Sequence, residues 1–330
     1  MNQGRNLLVT ALGIWAIGRA ALAAGEQPRF ERTEDVIYGR KFGTALTLDV
    51  FAPAGERNGA GVIFAVSGGW FSAHEAIAVG FFEELLRRGY TVFAVVHGSQ
   101  PRFCIPEVVQ DMHRAVRFIR LNAGRFGVDP DRLGIMGGSA GGHLSLMIGT
   151  TGGPGDAGAA DPVDRESSRV QAVACLFPPT DFLNYGQPGR DFLQALEEEL
   201  KPFQAPFDFV ELDKESGRFV LIADRERRLE IARQISPVTH VTADDPPMLV
   251  VHGDADKLVW FQQAEALKQR LDEAGVPNKL VVREGAGHGW PELQKDVKIL
   301  ADWFDTYLRQ PAGQGVGQAP PGEAAEPGER

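Results

Sequence analysis

Residues 137–141 read Gly-Gly-Ser-Ala-Gly and place one serine between two glycines, each two positions away. The segment follows a short apolar run and opens a stretch in which apolar residues recur with helical spacing. A sharp reversal from strand to helix leaves no room for a Cβ at these flanking positions, a requirement that Gly137 and Gly141 satisfy. We therefore predict that Ser139 is an exposed nucleophile. The alternative is a glycine-rich turn that binds an anion at a helix start.

A histidine and an aspartate stand where they could activate this serine. A serine hydroxyl is a weak nucleophile at neutral pH, so it needs an imidazole to accept its proton and a carboxylate to fix the imidazole tautomer. His288 lies in a glycine-rich loop after one apolar run, and Asp254 and Asp256 both follow another. We predict His288 as the base and Asp256 as the acid, with Asp254 as the alternative. The order serine, aspartate, histidine along the chain favours this assignment.

A second glycine-rich loop, 66–70, reads Val-Ser-Gly-Gly-Trp and follows a predicted strand. Attack on a carbonyl creates an oxyanion, which needs N–H donors that are already in place. We predict the backbone amides of Gly69, Trp70 and Ala140 as these donors, since Ala140 directly follows the nucleophile. An ordinary turn at 66–70 is the alternative.

Aromatic and histidine side chains near these motifs allow further interpretations. Trp290 is a candidate substrate-binding residue, because an indole can stack on a sugar or on an aromatic acyl group. Trp70 and Trp260 could act in the same way, although each of the three could equally serve packing alone. His143 lies four positions after Ser139 on the same predicted helix, which favours a packed or supporting role.

The sequence offers no metal or cofactor motif. No group of His, Cys and Glu has the spacing of a metal site. The glycine-rich segments lack both the Lys-Ser/Thr pair of a phosphate loop and a ribose-binding acid at the required distance. We therefore expect neither a metal nor a cofactor. The two cysteines, Cys104 and Cys175, are too few for a disulfide scaffold and are interpreted as separate structural thiols.

Short apolar runs alternate along the chain with longer segments of helical periodicity. The predicted strands are 46–51, 61–66, 91–96, 133–136, 170–177, 248–251 and 279–282. The clearest predicted helices are 77–88, 106–122, 262–274 and 293–308. This alternation predicts the α/β class, with a mostly parallel sheet covered by helices on both faces. The loops that carry Ser139, Asp256 and His288 then lie at the carboxyl ends of strands, where such sheets bind ligands.

One segment, about 184–242, breaks the alternation. It carries two stretches of helical pattern, 191–201 and 219–234, and no obvious strand. We interpret it as a cap-like insertion over the carboxyl edge of the sheet, or else as a surface excursion without a role in the site. Three aromatic residues could line a pocket beneath it or form its own small core: Phe203, Phe207 and Phe209.

Composition limits the class of protein. The chain has 330 residues, of which 43% are hydrophobic and 24% charged, and this fits one large α/β domain. A formal charge of −10 repels phosphate backbones and anionic membrane surfaces. Nucleic acid is therefore not an expected partner.

Both ends of the chain differ from its middle. Arg5 and the apolar run 7–18 precede small residues that end at Ala23, which is the pattern of a secretory signal peptide at 1–23. The run is shorter than the ~20 residues of a membrane-spanning helix, so we expect export to the periplasm or beyond, without a stable membrane anchor. The α/β domain then occupies 24–309. Residues 310–330 are rich in Pro, Gly, Ala and Glu, which predicts a disordered tail.

Together these segments resemble the α/β-hydrolase superfamily over almost the whole mature length, and within it the esterase and lipase branch and the bacterial feruloyl-esterase-like group. The matching segments are 48–53, 67–70, 126–132, 137–143 and the loops that carry His252 and His288. The resemblance implies an eight-stranded, mostly parallel sheet with a Ser-Asp-His triad at its carboxyl edge. It also implies hydrolysis of carboxylic esters through an acyl-enzyme, on small-molecule or polysaccharide-linked substrates.

The chain departs from the family pattern at two places. Relatives usually carry His-Gly-Gly before the tryptophan, whereas Ser67 occupies the His position here, and 96–99 reads Val-His-Gly-Ser where esterase relatives often show Asn-Tyr-Arg. Ser67 keeps the backbone donors but changes the hydrogen-bond support of the loop. Two other functions stay open: a serine peptidase of the prolyl-oligopeptidase type, which shares the triad order, and an inactive binding module with the hydrolase fold.

Overall fold

The computed structural model of the chain describes residues 30–309. The predicted signal peptide at 1–23 and the predicted disordered tail at 310–330 therefore lie outside the described residues. Within residues 30–309, none of the helices combines the length and the apolar character that a bilayer-crossing segment requires.

Eight strands form one sheet, and two more form a separate hairpin. The strands are β1 (Phe30–Lys41), β2 (Thr44–Pro53), β3 (Gly61–Val66), β4 (Thr91–Val96), β5 (Leu133–Gly138), β6 (Ala172–Leu176), β7 (Val210–Asp213), β8 (Arg218–Leu221), β9 (Met248–Gly253) and β10 (Asn278–Arg283). The order in the large sheet is β1-β2-β4-β3-β5-β6-β9-β10. β2 runs antiparallel to both of its neighbours, and all other pairs are parallel. The mostly parallel eight-stranded sheet expected from the sequence is confirmed.

All seven predicted strands are present, but the edge strand β1 was not predicted. Its first half reads Phe-Glu-Arg-Thr-Glu-Asp, and most of these side chains are exposed. An edge strand with one face towards solvent lacks the continuous apolar run that marks a buried parallel strand. Only its partly buried second half carries an apolar signal, and that half is too short to predict the whole strand.

Helices cover both faces of the sheet. They are α1 (Glu83–Arg87), α2 (Ile105–Leu121), α3 (Ala123–Phe126), α4 (Ala140–Thr151), α5 (Phe192–Ala195), α6 (Arg225–Gln234), α7 (Gln262–Ala274) and α8 (Leu293–Leu308). The helix predicted at 77–88 is wrong in its first half, where the chain forms a single 3-10 turn, Val79–Phe81, before the short α1. A β-branched residue followed by Gly80 disfavours the helix there despite the apolar spacing.

The sheet separates two hydrophobic cores, because successive side chains of each strand point to opposite faces. On β3, Ile63 and Ala65 face the core that contains α2, α4 and α7, whereas Val62 and Phe64 face the core that contains α1 and α8. All four are buried. Both cysteines are also buried and unpaired. The sheet is thus held rigidly between two packed layers, and its carboxyl edge is a fixed platform for loops.

The segment 184–242 contains α5, the β7–β8 hairpin and α6. The helix predicted at 219–234 is wrong for its first part, because 218–221 is a strand of the hairpin and α6 begins only at Arg225. Arg-Phe-Val-Leu has the aromatic and branched residues of a strand, and Asp224 caps α6 by accepting a hydrogen bond from the amide of Arg227. The predicted helix 191–201 shortens to α5 and a 3-10 turn, Lys201–Phe203.

Candidate active site

Ser139 lies on the turn between β5 and α4 with a φ of +52°, a conformation that costs energy for any residue other than glycine. A Cβ on Gly137 would lie 2.4 Å from the carbonyl carbon of Gly141, and a Cβ on Gly141 would lie 2.6 Å from the carbonyl oxygen of Ala65. The amide of Ser139 donates to Leu176 O at 2.9 Å. The turn is therefore possible only with glycine at both flanking positions, for the steric reason predicted.

The structure brings the three predicted catalytic residues together. Ser139 Oγ lies 3.0 Å from His288 Nε2, and His288 Nδ1 lies 2.7 Å from Asp256 Oδ2. They are placed by the loops after β5, β10 and β9. Asp254, the alternative acid, instead accepts a hydrogen bond from the amide of Gly285 at 2.6 Å and is exposed. Of the two aspartates, only Asp256 contacts His288 within residues 30–309.

Asp256 is a buried carboxylate with several donors. Its Oδ1 accepts from the amides of Leu258 and Val259 at 2.9 and 3.0 Å. Burial alone would raise its pKa, but hydrogen bonds from His252 and His288 outweigh burial and hold the pKa below the usual range. Asp256 is therefore ionised at neutral pH. An ionised acceptor at His288 Nδ1 keeps the proton there and leaves Nε2 free to accept one from Ser139.

His252 is a member of this site to which sequence reasoning assigned no role. It is completely buried at the end of β9, and its Nε2 lies 2.8 Å from Val259 O and 3.3 Å from Asp256 Oδ2. Since both neighbours are acceptors, Nε2 must carry the proton. Nδ1 is buried and has no hydrogen-bond partner among residues 30–309. The spacing of His252 and Asp256 was visible in the sequence, but nothing in it indicated which atoms meet.

The loop after β3 closes as a tight turn that leaves two amides free. Gly68 and Phe71 exchange two backbone hydrogen bonds of 3.0 Å, and the residues between them, Gly69 and Trp70, have φ of +56° and +58°. In the part of the chain that is described, the amides of Gly69, Trp70 and Ala140 donate no hydrogen bond. All three predicted oxyanion donors thus keep an unused N–H group.

Trp70 and His143 join this turn to the nucleophile helix α4. Trp70 is buried, and its Nε1 donates to His143 Nδ1 at 3.1 Å, while His143 Nε2 donates to Ile235 O at 2.7 Å. Burial lowers the pKa of His143 to about 4, so the ring is neutral and can accept from Trp70. His143 has the supporting role expected of it, and the buried indole of Trp70 is not available for stacking on a ligand.

The polar support of the turn comes from serines other than Ser67. Ser67 Oγ is buried without a partner within 30–309, whereas Ser72 Oγ donates to Val66 O at 2.6 Å and Ser99 Oγ accepts from the amide of Ser72 at 3.0 Å. The hydroxyls of Ser72 and Ser99 thus anchor the loop, and Ser67 contributes no side-chain hydrogen bond to it within the described residues.

The other two tryptophans considered for stacking on a substrate, Trp260 and Trp290, have polar partners as well. Trp290 Nε1 donates to Asp296 Oδ2 at 2.7 Å, and its ring lies 5.7 Å from that of Phe177, which in turn lies 4.5 Å from His288. Trp260 Nε1 donates to Glu199 Oε1 at 2.8 Å. Trp290 therefore lies one ring away from the base, and its role in substrate binding stays a prediction.

Three potential metal ligands meet at the β1–β2 edge: Glu34, Asp49 and His74, whose donor atoms lie within 4.8 Å of one another. Arg32 Nε donates to Asp49 Oδ2 at 2.8 Å, and His74 Nε2 lies 2.9 Å from the same oxygen. The guanidinium already neutralises the buried carboxylate, so the group is an ion-pair network.

The sequence matches two family models and several known esterases. Residues 48–271 match the family model described as BD-FAE, and 229–317 match a model described as TAP-like protein. The probable carboxylic ester hydrolase LipM of Mycobacterium tuberculosis is 30% identical over 72% of this chain and 51% of its own length. The chain thus spans about half the length of the curated relatives it matches.

Two solved structures are similar over nearly their full length. A truncated form of a carbohydrate esterase from gut microbiota is 26% identical, with a TM-score of 0.68, over 84% of this chain and 97% of that one. The propionate-bound esterase Est2 of Thermogutta terrifontis is also 26% identical, with a TM-score of 0.61, over 84% and 94%. Because the BD-FAE match covers more than half of the sequence and the sheet has the matching architecture, this chain belongs to the BD-FAE family of α/β-hydrolases.

Proposed function

We propose that this protein is a serine hydrolase that cleaves carboxylic esters through an acyl-enzyme. The observation that carries the proposal is the continuous chain from Ser139 Oγ to His288 Nε2 at 3.0 Å and from His288 Nδ1 to Asp256 Oδ2 at 2.7 Å. This is the arrangement that makes a serine hydroxyl nucleophilic. The names of the similar proteins, an ester hydrolase and two esterases, support the same reaction class.

In the proposed first step, Ser139 Oγ attacks the ester carbonyl carbon while His288 Nε2 takes the hydroxyl proton. Asp256 stabilises the imidazolium that forms. The negative charge on the former carbonyl oxygen faces the unused amides of Ala140 and of Gly69 or Trp70. Collapse of this intermediate breaks the bond to the alcohol, which leaves with the proton from His288.

The second step releases the acid. Water enters, gives a proton to His288 and attacks the acyl carbon bound to Ser139. The intermediate collapses again, the proton returns to Ser139 Oγ, and a carboxylic acid leaves. The two steps together consume one ester and one water, and they regenerate the enzyme without a cofactor.

We further propose that the substrates are acyl esters of polysaccharides or small molecules and that the protein is exported. The carbohydrate esterase among the similar structures supports the first part. The leader-like composition of 1–23 supports the second.

The direct test is release of p-nitrophenol from acetyl, butyryl and octanoyl esters by the wild type and by Ser139→Ala. We expect kcat to fall by a factor on the order of 10⁶ in the variant. Ser216→Ala, the same change at an exposed turn of the hairpin, is the matched control and should keep full activity. Turnover by a folded Ser139→Ala protein at the wild-type rate would overturn the proposal.

A further inference from the structure

Phe203, from the insertion, lies directly against the turn that offers the oxyanion donors. A Cβ placed on Gly69 would be 2.4 Å from Phe203 Cδ1 and 2.6 Å from Cε1. No side chain fits between them, so the ring edge occupies the space beside the Gly69 backbone. Phe203 is half-buried.

Hydrogen bonds hold the backbone segment that carries this ring. Phe203 ends the 3-10 turn Lys201–Phe203, and its amide donates to the carbonyl of the buried Leu200 at 2.8 Å. The preceding Glu199 accepts from Arg190 at 2.6 and 2.8 Å and from Trp260 Nε1 at 2.8 Å. The backbone that carries Phe203 is therefore tied to the loop after Asp256.

The strand order places the ring on one particular side of the nucleophile. Ser139 follows β5, the turn with Gly69 follows β3 on one side of it, and the loops with Asp256 and His288 follow β9 and β10 on the other. The leaving alcohol must face His288, which protonates it. The oxyanion faces the amides of the turn, so the acyl group takes a remaining direction that leads away from His288, on the side of Ser139 where Phe203 lies.

From this geometry we propose that Phe203 closes the acyl side of the site and restricts the enzyme to esters of short carboxylic acids, from acetyl to about butyryl. The inference rests on the ester hydrolysis proposed above. An aromatic ring beside Gly69 narrows the space that a long acyl chain would need. Phe203 is thus a specificity-determining residue and takes no part in the chemical steps.

The test compares acyl-length profiles of the wild type, Phe203→Ala and Phe203→Leu with p-nitrophenyl acetate, butyrate and octanoate. We expect kcat/KM of the wild type to fall from acetate to octanoate, and Phe203→Ala to raise the octanoate-to-acetate ratio about tenfold or more. Phe203→Leu should lie between the two and decides the question if the alanine variant fails to fold. Phe219→Ala, a ring that is 64% exposed on the hairpin, is the matched control and should leave the profile unchanged.

The outcomes separate the two proposals. If no ester is turned over in a Ser139-dependent manner, both the proposed function and the acyl limit are wrong. If esters are cleaved but folded Phe203 variants keep the wild-type ratio, only the acyl limit is wrong. A wild type that prefers octanoate to acetate also contradicts the limit.

Discussion

At the residue scale, the carboxylate of Asp256 is the most heavily bonded group of the site. Two backbone amides hold Oδ1, while the imidazoles of His288 and His252 both approach Oδ2. A hydrogen bond to a charged group contributes about 1.5–3 kcal/mol. The His252 contact, at 3.3 Å and shared with Val259 O, belongs at or below the lower end of this range. His252 therefore positions the carboxylate on which the base depends.

We predict that His252→Phe lowers kcat about tenfold with little change in KM, because Asp256 supports an imidazolium that forms only in the transition state. His252→Gln, whose amide can supply an N–H group in place of Nε2, should recover part of the loss. Steady-state kinetics and urea unfolding of both variants check this. Unchanged kcat in a folded His252→Phe protein would show that His252 only fills space.

The turn around Ser139, the base His288 and the acid Asp256 could be predicted from residue types, because the chemistry allows few residue types at these positions. Only glycine fits at 137 and 141, and His288 lies between two glycines on a bent loop. The contact of His252 could not be predicted in this way. It depends on how the loop after β9 folds back to bring Val259 O and Asp256 Oδ2 to the same ring nitrogen.

At the scale of elements, the insertion is fastened to the sheet at a few points. Glu199 joins Arg190 to Trp260, and Tyr185 donates to Leu258 O at 2.9 Å. Gln263, at the start of α7, bonds with 180–184 through both its amide oxygen and its amide nitrogen. The insertion is therefore tied to the loop that carries Asp256, which holds the backbone on which Phe203 lies.

We predict that Glu199→Ala weakens this attachment, at a cost of about 2 kcal/mol of local stability, because it removes the two-oxygen partner of Arg190 and the acceptor of the Trp260 indole. Hydrogen exchange of amides over 190–209 should become faster while exchange in the central strands is unchanged. Glu198→Ala is the matched control, since the Glu198 side chain is 74% exposed and contacts Arg190 only at 3.2 Å. Equal exchange in the two variants would contradict the role of Glu199.

Elements with a single clear periodicity were predictable, and those with mixed signals were not. The central strands are apolar on both faces and therefore read as continuous runs. The edge strand β1 and the hairpin β7–β8 are largely exposed. Their sequences therefore lack the apolar pattern that buried strands show. The helix predicted at 77–88 was wrong in its first half for a different reason. The apolar residues there have helical spacing, but the residue types disfavour a helical backbone.

At the scale of the whole molecule, three histidines are buried in the neutral form. Burial lowers the pKa values of His97, His113 and His143 to about 4 from the ordinary value of 6.5. The unfolded chain therefore binds three protons that the folded chain does not bind between these two pH values. Their contribution to stability is complete above about pH 6.5 and is lost as the pH falls towards 4.

We predict that the free energy of unfolding decreases by about 1.5 kcal/mol per buried histidine between pH 6.5 and pH 5. His113, which contacts Ser168 and Thr151 away from the triad, is suited to the test. His113→Gln lowers stability at every pH but should reduce the slope against pH by about one third. Urea unfolding at several pH values measures that slope, and a slope equal to the wild type would refute the assignment.

The assembly of the site from distant parts of the sequence is a property of the whole fold. Ser139, Asp256 and His288 meet because β5, β9 and β10 end at the same edge of one parallel sheet. The alternation of strands and helices predicted such an edge, and the family resemblance predicted which loops share it. The neighbour of the oxyanion turn, Phe203, comes from an insertion whose helical pattern does not indicate where the segment lies over the sheet.

The central claim is that Ser139 is the nucleophile, and covalent labelling tests it most directly. The folded protein is treated with a fluorophosphonate, and the modified peptide is identified by mass spectrometry. We predict one adduct, on Ser139, with no labelling of Ser139→Ala and strongly slowed labelling of His288→Ala. A folded wild-type protein that forms no adduct, or forms it on another residue, would contradict the account.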